Sequence, residues 1–121
     1  MKNNPKSQDL SIQNEYPKLV RDKIPEIIEA NGDDVEFRAL GEKEFLKYLK
    51  KKIIEEAKEV AETDTDEQLV EEMADIKEVL DALSSLKGFT AEQIHHVQSA
   101  KRVKRGGFEK RLLMLGNDKR A

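Results

Sequence analysis

Apolar residues recur at helical intervals along most of this chain and alternate in only one short stretch. In KLVRDKIPEIIEANG (18–32), Asp22 is placed to act as an N-cap and Pro25 falls in the first helical turn, where no N–H is needed. Ile24, Ile27 and Ile28 then share one side, and Gly32 ends the helix. The segment VEFRAL (35–40) has Val35, Phe37 and Ala39 alternating with polar neighbours, as in a short strand. From Glu42 to about Thr63, Leu49, Ile53, Ala57 and Val60 keep the interval of a long amphipathic helix. Thr65 and Gln68 form a capping-box pair ahead of a second long helix, which carries Leu69, Met73, Ile76, Leu80 and Leu83 and stops at Gly88. Thr90 and Gln93 repeat the pattern for a helix from Ala91 to about Lys104, ended by Gly106-Gly107. Leu112 to Leu115 is short and apolar, a candidate partner for 35–40.

The expected fold is therefore mainly all-α, an antiparallel bundle of about four helices with room for a small two-stranded β element. Residues 1–14 read as a flexible tail, 15–115 as one domain and 116–121 as a C-terminal tail. A length of 121 residues suits one core rather than two.

Composition narrows the class. No apolar run approaches a membrane span, the first 14 residues lack the apolar core of a secretory signal, and cysteine is absent. The expectation is a soluble cytoplasmic protein without disulfides, thiolate metal sites or cysteine nucleophiles. Charged residues make up 39% of the chain, against about 25% in an average domain. They nearly cancel to a net −3, which argues against a nucleic-acid polymer as partner and a strong positive field as the means of holding it. With 5% aromatic residues a lone monomer has a thin core, so self-association is expected.

The acidic residues change the picture further. Projected at about 100° per residue, Glu56 falls within about 20° of Leu49, inside the apolar stripe, with Glu59 at its margin and Glu55 further out. On the next helix Glu72 lies among Leu69, Ile76 and Val79, flanked by Asp75. The few residues around Thr63–Asp66 imply an antiparallel hairpin, in which residues equidistant from the turn sit at one height. Glu59 with Glu72, and Glu56 with Asp75, are each equidistant from the midpoint between Thr65 and Asp66. A four-carboxylate cluster follows. Burying such a cluster bare costs several kcal/mol per ion. A hard divalent cation, Mg²⁺ or Mn²⁺, resolves the conflict through all-oxygen ligation, and Mg²⁺ readily shares its shell with phosphates. The competing reading is a solvated Glu-rich face making i,i+4 pairs with lysines.

These residues resemble a known family. Glu55-Glu56-Ala57-Lys58-Glu59, twelve further residues and then Glu72-Met73-Ala74-Asp75 look like the EExxE…ExxD pattern of the all-α nucleoside triphosphate pyrophosphatase superfamily. That superfamily includes MazG-like proteins, dimeric dUTPases and phosphoribosyl-ATP pyrophosphohydrolase. KLVRDKIPEII (18–28) and KRGGFEKRLLML (104–115) are similar to a MazG-related, phosphoribosyl-ATP pyrophosphohydrolase-like branch, so the resemblance spans about residues 16–115. It implies Mg²⁺ held by Glu56, Glu59, Glu72 and Asp75, hydrolysis between the α- and β-phosphates, and a homodimer or homotetramer. Glu55 matches the first Glu of the motif, with a role in a second metal site or in orienting water.

Basic groups for the phosphates are less narrowly defined. Lys101, Lys104 and Arg105 share a face by i,i+3 and i,i+4 spacing, and Arg21 and Lys23 flank Asp22; solvated surface charge is the competing reading for each. Arg105 stands out because it lies in the matched RGGF segment. Adjacent His95 and His96 point about 100° apart and suit surface or interface roles. Phe37, Phe45, Tyr48, Phe89 and Phe108 are expected in the core rather than as base-stacking platforms, and Gly106-Gly107 as a helix stop rather than a phosphate cradle. The favoured function is a house-cleaning pyrophosphohydrolase giving NMP and pyrophosphate, with Glu55 or Glu56 as base. The alternatives are phosphoribosyl-ATP pyrophosphohydrolase of histidine biosynthesis, and a non-catalytic helical interaction module.

Overall fold

The computed structural model describes residues 16–117; the expected tail at 1–14 and residues 118–121 lie outside them. The described chain is all-helical, with four helices: α1 (Ile24–Ala30), α2 (Glu42–Ala61), α3 (Asp66–Lys87) and α4 (Ala91–Arg105). It divides into two compact units, Met1–Lys87 and Gly88–Ala121.

In the first unit the entry to α1 differs from expectation by one residue. Ile24 N–H donates to Arg21 O at 3.0 Å, and the turn so closed runs directly into the helix. The N-cap is therefore Lys23, not Asp22, and its φ of −94° and ψ of 0° are helical rather than extended, so no side chain caps the helix. Pro25 sits in the first turn as expected. Gly32, at φ +88°, donates to Glu29 O at 2.9 Å and closes the C-terminus in a left-handed conformation that favours glycine.

No strand forms among the described residues, so neither 35–40 nor 112–115 becomes the β element that alternation suggested. A strand needs a ladder partner, and alternation alone supplies none. Instead the 33–41 segment is tied to the start of α2 by a two-pronged bond: Arg38 Nη1 and Nη2 donate to Glu44 Oε1 and Oε2 at 3.2 and 2.8 Å.

Helices α2 and α3 pack on each other, joined by residues 62–65. Acidic side chains in both first turns and lysines in both last turns, Lys58 and Lys87, complement the helix dipoles. At the turn, Gln68 N–H donates to Thr65 Oγ1 at 3.2 Å, while the Gln68 side chain accepts from Asp64 N–H at 2.9 Å. The expected capping box is thus half realised, its return bond displaced by one residue. Leu49, 3% exposed, is the one apolar residue classed as buried among the described residues. Ile53, Val60, Leu69, Ile76 and Leu83 are half-buried, whereas Ala57, Met73 and Leu80 in the same stripes are exposed.

In the second unit, both bonds of the Thr90–Gln93 box are present, at 3.0 and 2.7 Å. Gly106, at φ +86°, ends α4, and Arg102 pairs with Glu109 just beyond it. A Cβ at Gly107 would collide with the Arg102 guanidinium, so the two glycines serve a helix end and a side-chain passage. Phe45 and Tyr48 are half-buried, but Phe37, Phe89 and Phe108 are exposed, the last at 95%, which corrects the core role expected of them. Phe37 lies in a segment without a strand partner, and the second unit has one described helix, with no second helix in that unit to pack on it.

Candidate metal centre

The candidate centre lies on the α2–α3 interface, near the turn. Glu56 and Glu59 are one helical turn apart on α2, and Glu72 is nearly two turns into α3. Each offers a carboxylate oxygen, and the three oxygens lie within 4.8 Å of one another. Glu56 is 3% exposed, Glu72 8%, and Glu59 half-buried. These two glutamates are the polar residues classed as buried among the described residues, and no buried side-chain nitrogen or oxygen lacks a hydrogen-bond partner. The angular projection that put Glu56 and Glu72 inside apolar stripes thus agrees with their burial.

The fourth expected ligand is placed differently. Asp75, one turn beyond Glu72, is not part of the triad; its Oδ1 accepts from Arg21 Nη2 at 2.8 Å. Arg21 reaches it from the segment preceding α1. A second cation flanks the other end: Lys52 Nζ lies 3.3 Å from Glu55 Oε1 and 3.8 Å from Glu56 Oε2, its side chain only 20% exposed. Lys52 was not among the residues singled out from the sequence, although its i,i+3 and i,i+4 spacing to Glu55 and Glu56 is the signal that finds it.

Lys23 is exposed at the start of α1, and Lys101, Lys104 and Arg105 are exposed on α4 in the second unit. His95 and His96 are exposed as well, with His95 Nε2 3.3 Å from Ser99 Oγ, a local i,i+4 contact.

The triad fits a hard divalent cation on two counts. Its donors are all oxygen, and they come from both helices, so one ion would join α2 to α3. Bonds of about 2.1 Å place adjacent ligands of one Mg²⁺ about 3.0 Å apart and opposite ones about 4.2 Å apart, so three oxygens within 4.8 Å of one another close onto one ion by side-chain rotation of up to about 2 Å. Two buried carboxylates beside a third also supply the repulsion that a cation relieves. Lys52 and Arg21 compensate part of this charge, at Glu55–Glu56 and at Asp75.

No protein-family model, curated protein or solved structure matches the chain.

Proposed function

We propose that this chain is a Mg²⁺-dependent nucleoside triphosphate pyrophosphohydrolase that cleaves the α–β phosphoanhydride to give a nucleoside monophosphate and pyrophosphate. The observation that carries this is the carboxylate triad: buried Glu56 and Glu72 with Glu59, their oxygens within 4.8 Å. The resemblance of residues 55–59 and 72–75 to the EExxE…ExxD pattern supports the reaction class.

Glu56, Glu59 and Glu72 would hold the ion, with Asp75 joining when its carboxylate turns from Arg21. Bound there, Mg²⁺ or Mn²⁺ supplies charge neutralisation for the triphosphate and acidifies water. The chain's own residues do the rest. Glu55, next to Glu56 in the chain and 3.3 Å from Lys52, accepts the proton of the attacking water. The new bond forms at the α-phosphorus as the bond to the α–β bridging oxygen breaks, and the electron pair leaves with pyrophosphate. Arg21, paired with Asp75, and Lys23 are candidate partners for departing charge in the first unit, and Lys101, Lys104 and Arg105 are those the second unit offers. A house-cleaning role in the cytoplasm and assembly as a homodimer or homotetramer complete the proposal. Exposed Ile54, Val70 and Met73 on α2 and α3 give a second copy apolar surface to cover. No described helix is long and apolar enough to cross a membrane.

The test is pyrophosphate release with Mg²⁺ across canonical NTPs, damaged NTPs and phosphoribosyl-ATP. Turnover of NTPs is expected, with Glu55→Gln, which removes the base, slower by about 10²–10⁴-fold, and Glu56→Gln, which removes a metal ligand, slower as well. Turnover of phosphoribosyl-ATP alone would move the chain to histidine synthesis. No pyrophosphate from any substrate, or full activity in Glu56→Gln, would leave the helical interaction module standing.

A further inference from the structure

We infer that Arg21 is an exchangeable counter-ion of Asp75 that sets the affinity of the carboxylate centre for its cation. This rests on the metal-centre assignment above and concerns how that centre is regulated.

Asp75 stands one helical turn from Glu72, on the α3 face that supplies the site, yet its Oδ1 is held at 2.8 Å by a guanidinium. A cation recruiting Asp75 must compete with that bond for the same carboxylate. The guanidinium is also a positive charge beside the place where a divalent ion would sit, so its presence disfavours binding twice over.

The two cations at the site differ in how easily they can leave. The Lys52 side chain is 20% exposed and touches two carboxylates on its own helix, so its departure breaks both contacts at once. The Arg21 side chain is 60% exposed and reaches Asp75 across 54 positions of sequence, from a turn fixed by the Ile24 N–H to Arg21 O bond. Its backbone is anchored while its head group lies largely in water, so it can release Asp75 without disturbing α1. A released guanidinium stays tethered at the rim of the centre, positioned to meet an anionic substrate. Arg21 thus holds Asp75 before the cation arrives and is freed when it binds.

Mn²⁺ binding by isothermal titration calorimetry tests this without reference to turnover. The proteins are the wild type, Arg21→Gln, Lys23→Gln, Asp75→Asn and the Arg21→Gln/Asp75→Asn double variant, with circular dichroism melts to verify folding. Arg21→Gln is expected to tighten Mn²⁺ binding by about three- to fivefold, the upper part of the range for an exposed ion pair. Lys23→Gln removes the same charge two residues away and is expected to leave affinity unchanged. The gain from Arg21→Gln should shrink when Asp75 is already Asn, because only the direct charge repulsion then remains, and an undiminished gain overturns the exchange with Asp75. Unchanged or weaker binding by Arg21→Gln overturns the inference while leaving the metal centre intact. An equal gain from Lys23→Gln overturns it in favour of a general charge effect. A wild type that binds no Mn²⁺ removes the metal centre itself, and this inference with it.

Discussion

Replacing Glu72 by Gln keeps the side chain's shape and deletes one charge, and it should move thermal stability in opposite directions with and without metal. Two unit charges 4.8 Å apart, the upper limit of the triad's spacing, repel by about 3.5 kcal/mol at an effective dielectric constant of about 20. Glu72 faces both Glu56 and Glu59, so the gross relief is about 7 kcal/mol. Lys52 at 3.8 Å from Glu56, with other local partners, offsets much of that repulsion. A residual of about 1 kcal/mol corresponds to about 4 °C in a domain of this size. The metal-free variant should therefore melt at or a few degrees above the metal-free wild type. With a cation at 100 times its dissociation constant, the wild type gains about 2.7 kcal/mol, or about 10 °C. Loss of one of three or four ligands that weakens binding about 30-fold cuts this gain below about 1 kcal/mol. Calorimetric melts in chelator and over a Mg²⁺ or Mn²⁺ series measure both shifts. A variant that melts well below the wild type in chelator, yet keeps the full metal-induced gain, would refute the assignment.

Two further outcomes are expected. Hydrogen bonding from Arg38 holds the Glu44 carboxyl below its ordinary value against desolvation, with smaller help from the charges of Arg38 and Lys47. Its contribution to stability is thus present above the unfolded carboxylate value and is lost as pH falls through the lower folded value. NMR titration should place the Glu44 carboxyl low, and Arg38→Ala should return it to the usual range; an unmoved titration would remove the pair's role. Sedimentation equilibrium should give two or four times the single-chain mass, and Val70→Glu should lower it, whereas a wild type at single-chain mass refutes self-association.

What the sequence made legible were features governed by local geometry. Glu56 and Glu72 could be placed because 3.6-residue periodicity assigns each helical position an angle, and both angles fell among apolar residues. The turn fixed the register, which brought Glu59 to Glu72. Features that depend on partners distant in sequence were not legible. Asp75 met its arginine across 54 residues, a pairing no periodicity encodes. Alternation in 35–40 describes a face without saying whether another strand lies beside it. Ala57 and Met73 keep the helical interval yet are exposed, because apolar spacing states what can be buried and leaves open what covers it. At α1 the miss was smaller, a turn from Arg21 to Ile24 carrying the helix start one residue past Asp22.

The same interface serves as core and as candidate site, and the two uses conflict. Leu49 is apolar, but its buried companions Glu56 and Glu72 are ionisable residues on opposite helices. Each such position, filled by a well-packed apolar side chain, would strengthen the hairpin. As carboxylates they repel one another, to the extent that neighbouring groups leave that repulsion uncompensated. Lys52 and Arg21 meet that need at the edges, since each contacts one helix's acids, Lys52 those of α2 and Arg21 that of α3. A divalent ion bound to Glu56, Glu59 and Glu72 would instead be shared by both helices. It would convert the repulsion that strains the interface into a crosslink beside the turn. On the proposed reading, the sequence that sets like charges into the hairpin would therefore also couple its stability to a cation.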